Sequence, residues 1–104
     1  MLEIEVPPPH NHVRDAVYSL AQMRGLVVTM DIGLRSYQGG SHWHLRKPKA
    51  SGTLEVTYWP ARDRLWVTYH ANRVGDGWVE EGAPQFAIEL RDRMKDLQRM
   101  KDDG

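Results

Sequence analysis

Residues 53–70 read TLEVTYWPARDRLWVTYH, in which two stretches of alternating apolar and polar side chains are joined by a short polar connection. Alternation over about seven residues is typical of a strand that is buried on one face only. Pro60 presets the backbone for a turn, so residues 60–63 predict a tight connection. The whole stretch therefore predicts an antiparallel hairpin, because parallel pairing needs a much longer crossover.

The same alternation occurs on the N-terminal side of this hairpin. Residues 26–32 and 42–46 predict two further strands, separated by a segment that contains glycines. The last strand of the set is expected to extend from Leu65 to Asn72 and to stop at the loop that contains Gly75. Short connections between successive strands indicate an antiparallel meander.

Helical spacing of apolar residues flanks the strands on both sides. Asn11 is a plausible N-cap for a first helix that runs to about Arg24, and a second helix is expected to begin near Pro84. We therefore predict an α+β fold. It is a single compact domain in which an antiparallel three- to four-stranded meander is packed on one face by an N-terminal and a C-terminal helix. The predicted order is (β)-α-β-β-β-β-α.

Composition narrows the classes of protein to consider. The 104 residues are enough for one core, and the absence of cysteine excludes disulfides and thiolate metal sites. The start is acidic and runs into prolines, unlike a secretory signal, and no stretch has the roughly 20 apolar residues of a membrane span. We expect a cytoplasmic protein without a membrane partner. The predicted organisation is an N-terminal extended segment and possible edge strand (1–9), the domain (10–100) and a polar tail (101–104).

The net charge of zero conceals an uneven distribution along the chain. Residues 35–73 carry a net charge of +5, whereas residues 1–34 carry −2 and residues 74–104 carry −3. A basic central region between acidic flanks produces a local field that the total charge does not reveal.

Alternation also assigns the two faces of the predicted sheet. One face is expected to form the core under the helices, with Leu26, Val28, Met30, Ile32, Trp43, Leu45, Leu54, Val56, Tyr58, Leu65, Val67 and Tyr69. The other receives Thr29, Asp31, His42, His44, Arg46, Thr53, Glu55, Thr57, Trp59, Trp66, Thr68 and His70. Tryptophan gains a few kcal/mol from burial, so two on a solvent-facing surface predict that something covers them.

The first functional hypothesis is a small, non-catalytic domain that contacts nucleic acid, single-stranded by preference. Bases stack on aromatic side chains carried by sheets, and basic side chains follow the phosphates. Trp59 and Trp66 are the predicted stacking platform, and the predicted basic rim consists of Arg46, Lys47, Lys49, Arg62 and Arg64. This hypothesis involves no cofactor and no catalytic residue.

Two alternatives use the same face differently. In the first, His42, His44, Glu55 and His70 bind zinc or another divalent metal, or a small ligand, in an enzyme, because alternate residues of a strand place both imidazoles on one side. In the second, the face that carries the tryptophans is buried in a homodimer and the domain has a structural role.

Parts of the sequence resemble two known families. Asp31 and Glu55, behind a helix, resemble the acid pair in the αβββ core of the PD-(D/E)xK nucleases, but Thr57 replaces the lysine of that family. The α-β-β-β-α order is similar in topology to the double-stranded RNA-binding domain. Glu80 and Glu81 stand where that domain has its basic cluster.

Overall fold

The computed structural model describes residues 2–71, 73 and 76–103. The elements are β1 (Ile4–Glu5), α1 (Val13–Met23), β2 (Val27–Leu34), β3 (Gly40–Arg46), β4 (Thr53–Trp59), β5 (Arg64–His70) and α2 (Gly77–Asp103), with a single 3₁₀ turn at Pro60–Arg62 between β4 and β5. The α+β class and the antiparallel meander β2 to β5 are confirmed. Among the described residues no helix has both the length and the apolar character to cross a bilayer.

The N-terminal segment contributes a fifth strand, so the sheet is one strand wider than the predicted meander. β1 pairs antiparallel with β5, with Ile4 opposite Val67 and Glu5 opposite Trp66. The order across the sheet is β1-β5-β4-β3-β2. β4 therefore lies at the centre, and the predicted hairpin of β4 and β5 pairs from Thr53 opposite His70 to Trp59 opposite Arg64.

Both helices pack against the same face of the sheet and enclose the core. Trp43 is 1 % exposed, which confirms its predicted core position. The strand side chains buried with it are Leu45, Leu54, Val56, Leu65 and Val67, and the helices add Val17, Leu20, Val79, Phe86, Leu90 and Met94. Each such side chain gains about 1.5–3 kcal/mol from leaving water, so this face provides most of the stability.

The predicted face assignment is wrong for the second half of β2. Val28 pairs with Leu45, but Met30 and not Thr29 pairs with His44, so Thr29 is the extra residue of a β-bulge. The Thr29 hydroxyl donates to the His44 carbonyl at 3.4 Å. Because side chains alternate, one extra residue reverses every following position. Met30 and Ile32 consequently leave the core and are 39 % and 46 % exposed.

The same bulge moves Asp31 to the helix side of the sheet. Its carboxylate accepts a hydrogen bond of 2.6 Å from the Tyr18 hydroxyl of α1 and lies 2.6 Å from the Arg14 guanidinium. The hydrogen bond from Tyr18, aided by Arg14, lowers the pKa of Asp31 below its ordinary value. Asp31 thus fastens α1 to an edge strand, a role that regular alternation does not predict.

Both helices begin at other residues than predicted. α1 begins at Val13, because His12, not Asn11, is the N-cap; its backbone is left-handed and its imidazole contacts Gln98 of α2 at 2.9 Å. α2 begins at Gly77 and includes Pro84 in its interior.

The early start of α2 has a packing cause. The Trp78 indole donates to the carbonyl of Ser51 at 2.7 Å and Val79 is fully buried, so the chain before Pro84 is already held in the core. α2 continues to Asp103, which makes residues 101–103 of the predicted tail helical. The predicted strand end at Asn72, the loop residue Gly75 and Gly104 lie outside the described residues.

We predict that Asp31→Asn destabilises the fold in a pH-dependent way. The lowered pKa means that the ionised carboxylate stabilises the folded state above its ordinary value of 3.8, and that this contribution is lost as the pH falls through the lower folded pKa. The difference between wild type and Asp31→Asn in urea unfolding should therefore be largest near neutral pH and should shrink below pH 3.8. A double-mutant cycle with Tyr18→Phe should show a coupling of about 0.5 kcal/mol. Full additivity at neutral pH would contradict this placement of Asp31.

Candidate metal centre

The face opposite the helices carries every histidine of the strands. Residues that pair across neighbouring strands form rows on this face. In one row, Glu55 of β4 lies between His44 of β3 and Thr68 of β5; in the next, Thr57 lies between His42 and Trp66. We call this surface the histidine face. Its members are Glu5, Val27, Met30, Ile32, Leu34, His42, His44, Arg46, Thr53, Glu55, Thr57, Trp59, Arg64, Trp66, Thr68 and His70.

Three potential ligand atoms converge at the centre of the histidine face. The Nε2 atoms of His42 and His44 are 2.9 Å apart, and each lies 3.2 Å from Oε1 of Glu55. His42 and His44 reach the same point because they are alternate residues of β3, and Glu55 is the cross-strand partner of His44. The structure thus brings together three of the four predicted ligands.

His42 is oriented by a neighbour on the same face. Its Nδ1 lies 2.8 Å from Oγ1 of Thr57, a residue that is only 4 % exposed. When Nδ1 donates to that hydroxyl, the lone pair of the imidazole is on Nε2, which faces His44 and Glu55. Burial, and next the neighbouring His44, lower the pKa of His42 below its ordinary value, which favours the neutral form that binds metals.

Glu55 is a buried carboxylate whose two oxygens have different partners. Its side chain is 10 % exposed; Oε1 faces His42 and His44, while Oε2 lies 2.7 Å from Nε2 of His70. His70, with half its side chain exposed, stands beside the three-atom group instead of within it. An imidazole in this place orients the carboxylate, as groups behind metal ligands commonly do.

The spacing of the three atoms fits a small divalent cation. Two ligands at about 2.1 Å from one ion lie about 3.0 Å apart at right angles and about 3.4 Å apart at the tetrahedral angle. The observed separations of 2.9 Å and 3.2 Å fall in or next to this interval. Two imidazoles and one carboxylate suit zinc, iron, cobalt or nickel, whereas magnesium and calcium prefer oxygen ligands alone.

Of the two tryptophans of the histidine face, Trp66 is covered by its own chain and Trp59 is covered in part. Trp66 is 4 % exposed and Trp59 is half-buried; the Tyr37 ring lies 4.7 Å from Trp59 and 5.6 Å from Trp66, centroid to centroid. The guanidinium of Arg64 lies 4.3 Å above the Trp66 ring. A homodimer through this face, as predicted, would therefore contact Tyr37 and Trp59 in preference to Trp66.

The predicted basic rim is divided between the two ends of the sheet. Arg46 is the last residue of β3, with Lys47 and Lys49 after it, whereas Arg62 and Arg64 lie at the opposite end, in and after the turn between β4 and β5. Arg64 is also engaged, because its guanidinium binds Glu3 at 3.0 Å and Glu5 at 2.7 Å. These two carboxylates, Glu5 foremost, raise the pKa of Arg64. The structure does not bring the predicted rim into one continuous surface.

The two acids of the nuclease resemblance are not neighbours. Asp31 faces α1, where it contacts Tyr18, whereas Glu55 is on the histidine face. The β2 bulge separates them, so the shared acid site of that resemblance is absent.

Sequence reasoning missed Thr57 as the partner of His42 and Tyr37 as the cover of the tryptophans. Thr57 had a signal, since it lies two residues after Glu55 and therefore on the same face. Tyr37 belongs to the connection between β2 and β3, where no periodicity predicts which way a side chain points.

Comparisons of the chain with protein-family models, with curated proteins and with solved structures find no match.

Proposed function

We propose that the histidine face binds a divalent transition-metal ion through His42, His44 and Glu55, in a site of the catalytic type. The observation that carries the proposal is the convergence of two Nε2 atoms and one Oε1 atom within 3.2 Å of one another. Three atoms that can all present lone pairs repel one another unless a cation or protons lie between them. The buried carboxylate needs such compensation as well, because an uncompensated buried charge costs several kcal/mol.

The openness of the site favours a catalytic over a structural metal. Structural zinc sites are closed by four protein ligands, whereas catalytic sites keep at least one position for water or substrate. Here all three ligands come from one side, the surface of a sheet, so the remaining coordination positions face solvent. A metal held in this way supplies Lewis-acid chemistry and lowers the pKa of a bound water.

We predict that metal-free protein binds one equivalent of zinc or cobalt, and that His44→Ala or Glu55→Gln weakens this binding by about 100-fold or more. Loss of a ligand should exceed the 10- to 100-fold effect of losing a group behind a ligand. Isothermal titration calorimetry after removal of metal with a chelator measures the affinity, and circular dichroism confirms the fold of each variant.

His12→Ala is the matched control, because His12 contacts Gln98 on the helix side of the molecule. It should bind as tightly as the wild type. Unchanged affinity in both His44→Ala and Glu55→Gln would overturn the proposal, as would weakened binding in His12→Ala alone.

A second prediction concerns the hydroxyl that orients His42. Thr57→Val keeps the shape of a buried side chain but removes the partner of Nδ1, so zinc affinity should fall by about tenfold. Thr68→Val is the control, since it makes the same change on the same face without a hydrogen bond among the described residues. Equal affinities of the two variants would show that Thr57 does not position the ligand.

Nucleic-acid binding is a second candidate, which one observation favours. Trp59 is half-buried, and the guanidinium of Arg62 lies 5.7 Å from its ring centroid, so a cation stands beside an accessible aromatic ring. A single-stranded oligonucleotide should then quench tryptophan fluorescence at low salt, less so as salt increases. Arg62→Gln should weaken the quenching more than Lys49→Gln, which lies at the other end of the sheet. No quenching at low salt would exclude this function.

A further inference from the structure

Arg46 is the nearest arginine to the three ligands along β3. It follows His44 by two residues, so its side chain leaves the same face about 7 Å farther along the strand. It pairs with Val27, whose side chain is half exposed, at the open edge of the sheet. A side chain as long as arginine spans the distance back to a ligand bound above His44.

The guanidinium of Arg46 makes no ion pair within the described part of the chain, and the residue is exposed. Three other arginines are already paired with carboxylates: Arg14 with Asp31, Arg24 with Glu89, and Arg64 with Glu3 and Glu5. Arg46 therefore has its planar set of donors available to a ligand, and that set matches a carboxylate or a phosphate.

Further hydrogen-bond donors stand in the same row as Arg46. Thr53 is the cross-strand partner of His70, and the register that pairs Leu45 with Leu54 places Arg46 opposite Thr53. Arg46 of β3, Thr53 of β4 and His70 of β5 thus form one row across three neighbouring strands, next to the row that contains Glu55. Arg46 and Thr53 can each donate a hydrogen bond to a ligand, while Nε2 of His70 faces Glu55, so the row suits a ligand rich in acceptors.

The charge of the metal-bound face also favours an anion. Two acidic residues lie on the histidine face: Glu55 at the site itself, and Glu5, which is opposite Trp66 and paired with Arg64 at the far end of the sheet. A divalent ion together with Glu55 and Arg46 leaves a local net charge of about +2, and the paired Arg64 with Glu3 and Glu5 lies at the other end. The field therefore attracts anions and repels cations.

We infer that the ligand of this site is a small oxyanion, a carboxylate or a phosphate group, held between the metal and Arg46. This inference rests on the metal site proposed above and adds the chemical class of what it binds. One oxygen of the anion occupies an open position of the metal, and the others accept hydrogen bonds from Arg46. The row on the other side of Glu55 consists of Ile32, His42, Thr57, Trp66 and Glu5 and contains no arginine or lysine.

The test uses the cobalt form of the full chain, because the visible absorption of cobalt reports both that the metal is bound and when a new ligand reaches it. Inorganic phosphate and acetate are titrated separately, so that the two sources of oxyanion are distinguished. We expect saturable spectral changes with at least one of them. Arg46→Gln should weaken that binding by about tenfold or more, since a charge-assisted hydrogen bond is lost.

Lys47→Gln is the matched control, because it removes the neighbouring exposed cation beyond the end of β3. It should leave anion affinity within about twofold of the wild type. Imidazole, a neutral metal ligand, should bind the wild type and Arg46→Gln equally, which shows that the metal in the variant is still accessible.

The outcomes separate the two proposals. Failure to bind cobalt overturns the metal site and the oxyanion inference together. A cobalt spectrum that neither anion changes leaves the metal site standing and overturns the inference. Anion binding that is equally strong in Arg46→Gln, or equally weakened in Lys47→Gln, also overturns it, because Arg46 then has no specific part.

Discussion

The carboxylate of Glu55 is buried in the central strand of the sheet, and the surrounding histidine face depends on how its charge is balanced. Its ion-pair partners within the described residues are the imidazoles of His42, His44 and His70. None of these is charged unless protonated, and no lysine or arginine among the residues that the structure describes forms an ion pair with Glu55. In the proposed site, a metal ion bound to Oε1 would supply a cation, and His70 would hold the second oxygen in place.

The two faces of one sheet separate the hydrophobic core from the proposed metal site. The helix-covered face carries the apolar side chains, with Trp43 buried at its centre. The other face is free of that packing and can place polar groups at the regular spacing of the strands. His42, His44 and Glu55 converge because strand pairing fixes them, not because a loop bends around a ligand. Such rigid placement is what a metal site requires of its support.

Much of this arrangement follows from periodicity, and its failures have physical causes. The limits of β4 and the shared face of His42, His44 and Glu55 are predictable because alternation is strict there. The second half of β2 is not predictable, because Thr29 and its bulge reverse the pattern without any glycine or proline as a signal. The covering of Trp66 depends on Tyr37 and on Arg64 held by β1, contacts that only the folded chain brings together.

Anomalous diffraction from zinc-soaked crystals, measured at the zinc absorption edge, would show whether His42, His44 and Glu55 hold a metal ion. We expect one strong anomalous peak on the histidine face, about 2.0–2.2 Å from Nε2 of His42, Nε2 of His44 and Oε1 of Glu55. Solvent or an oxyanion should complete the coordination on the open side. A histidine face without a peak, or zinc bound by His10 or His12 in place of these residues, would contradict the proposed metal site.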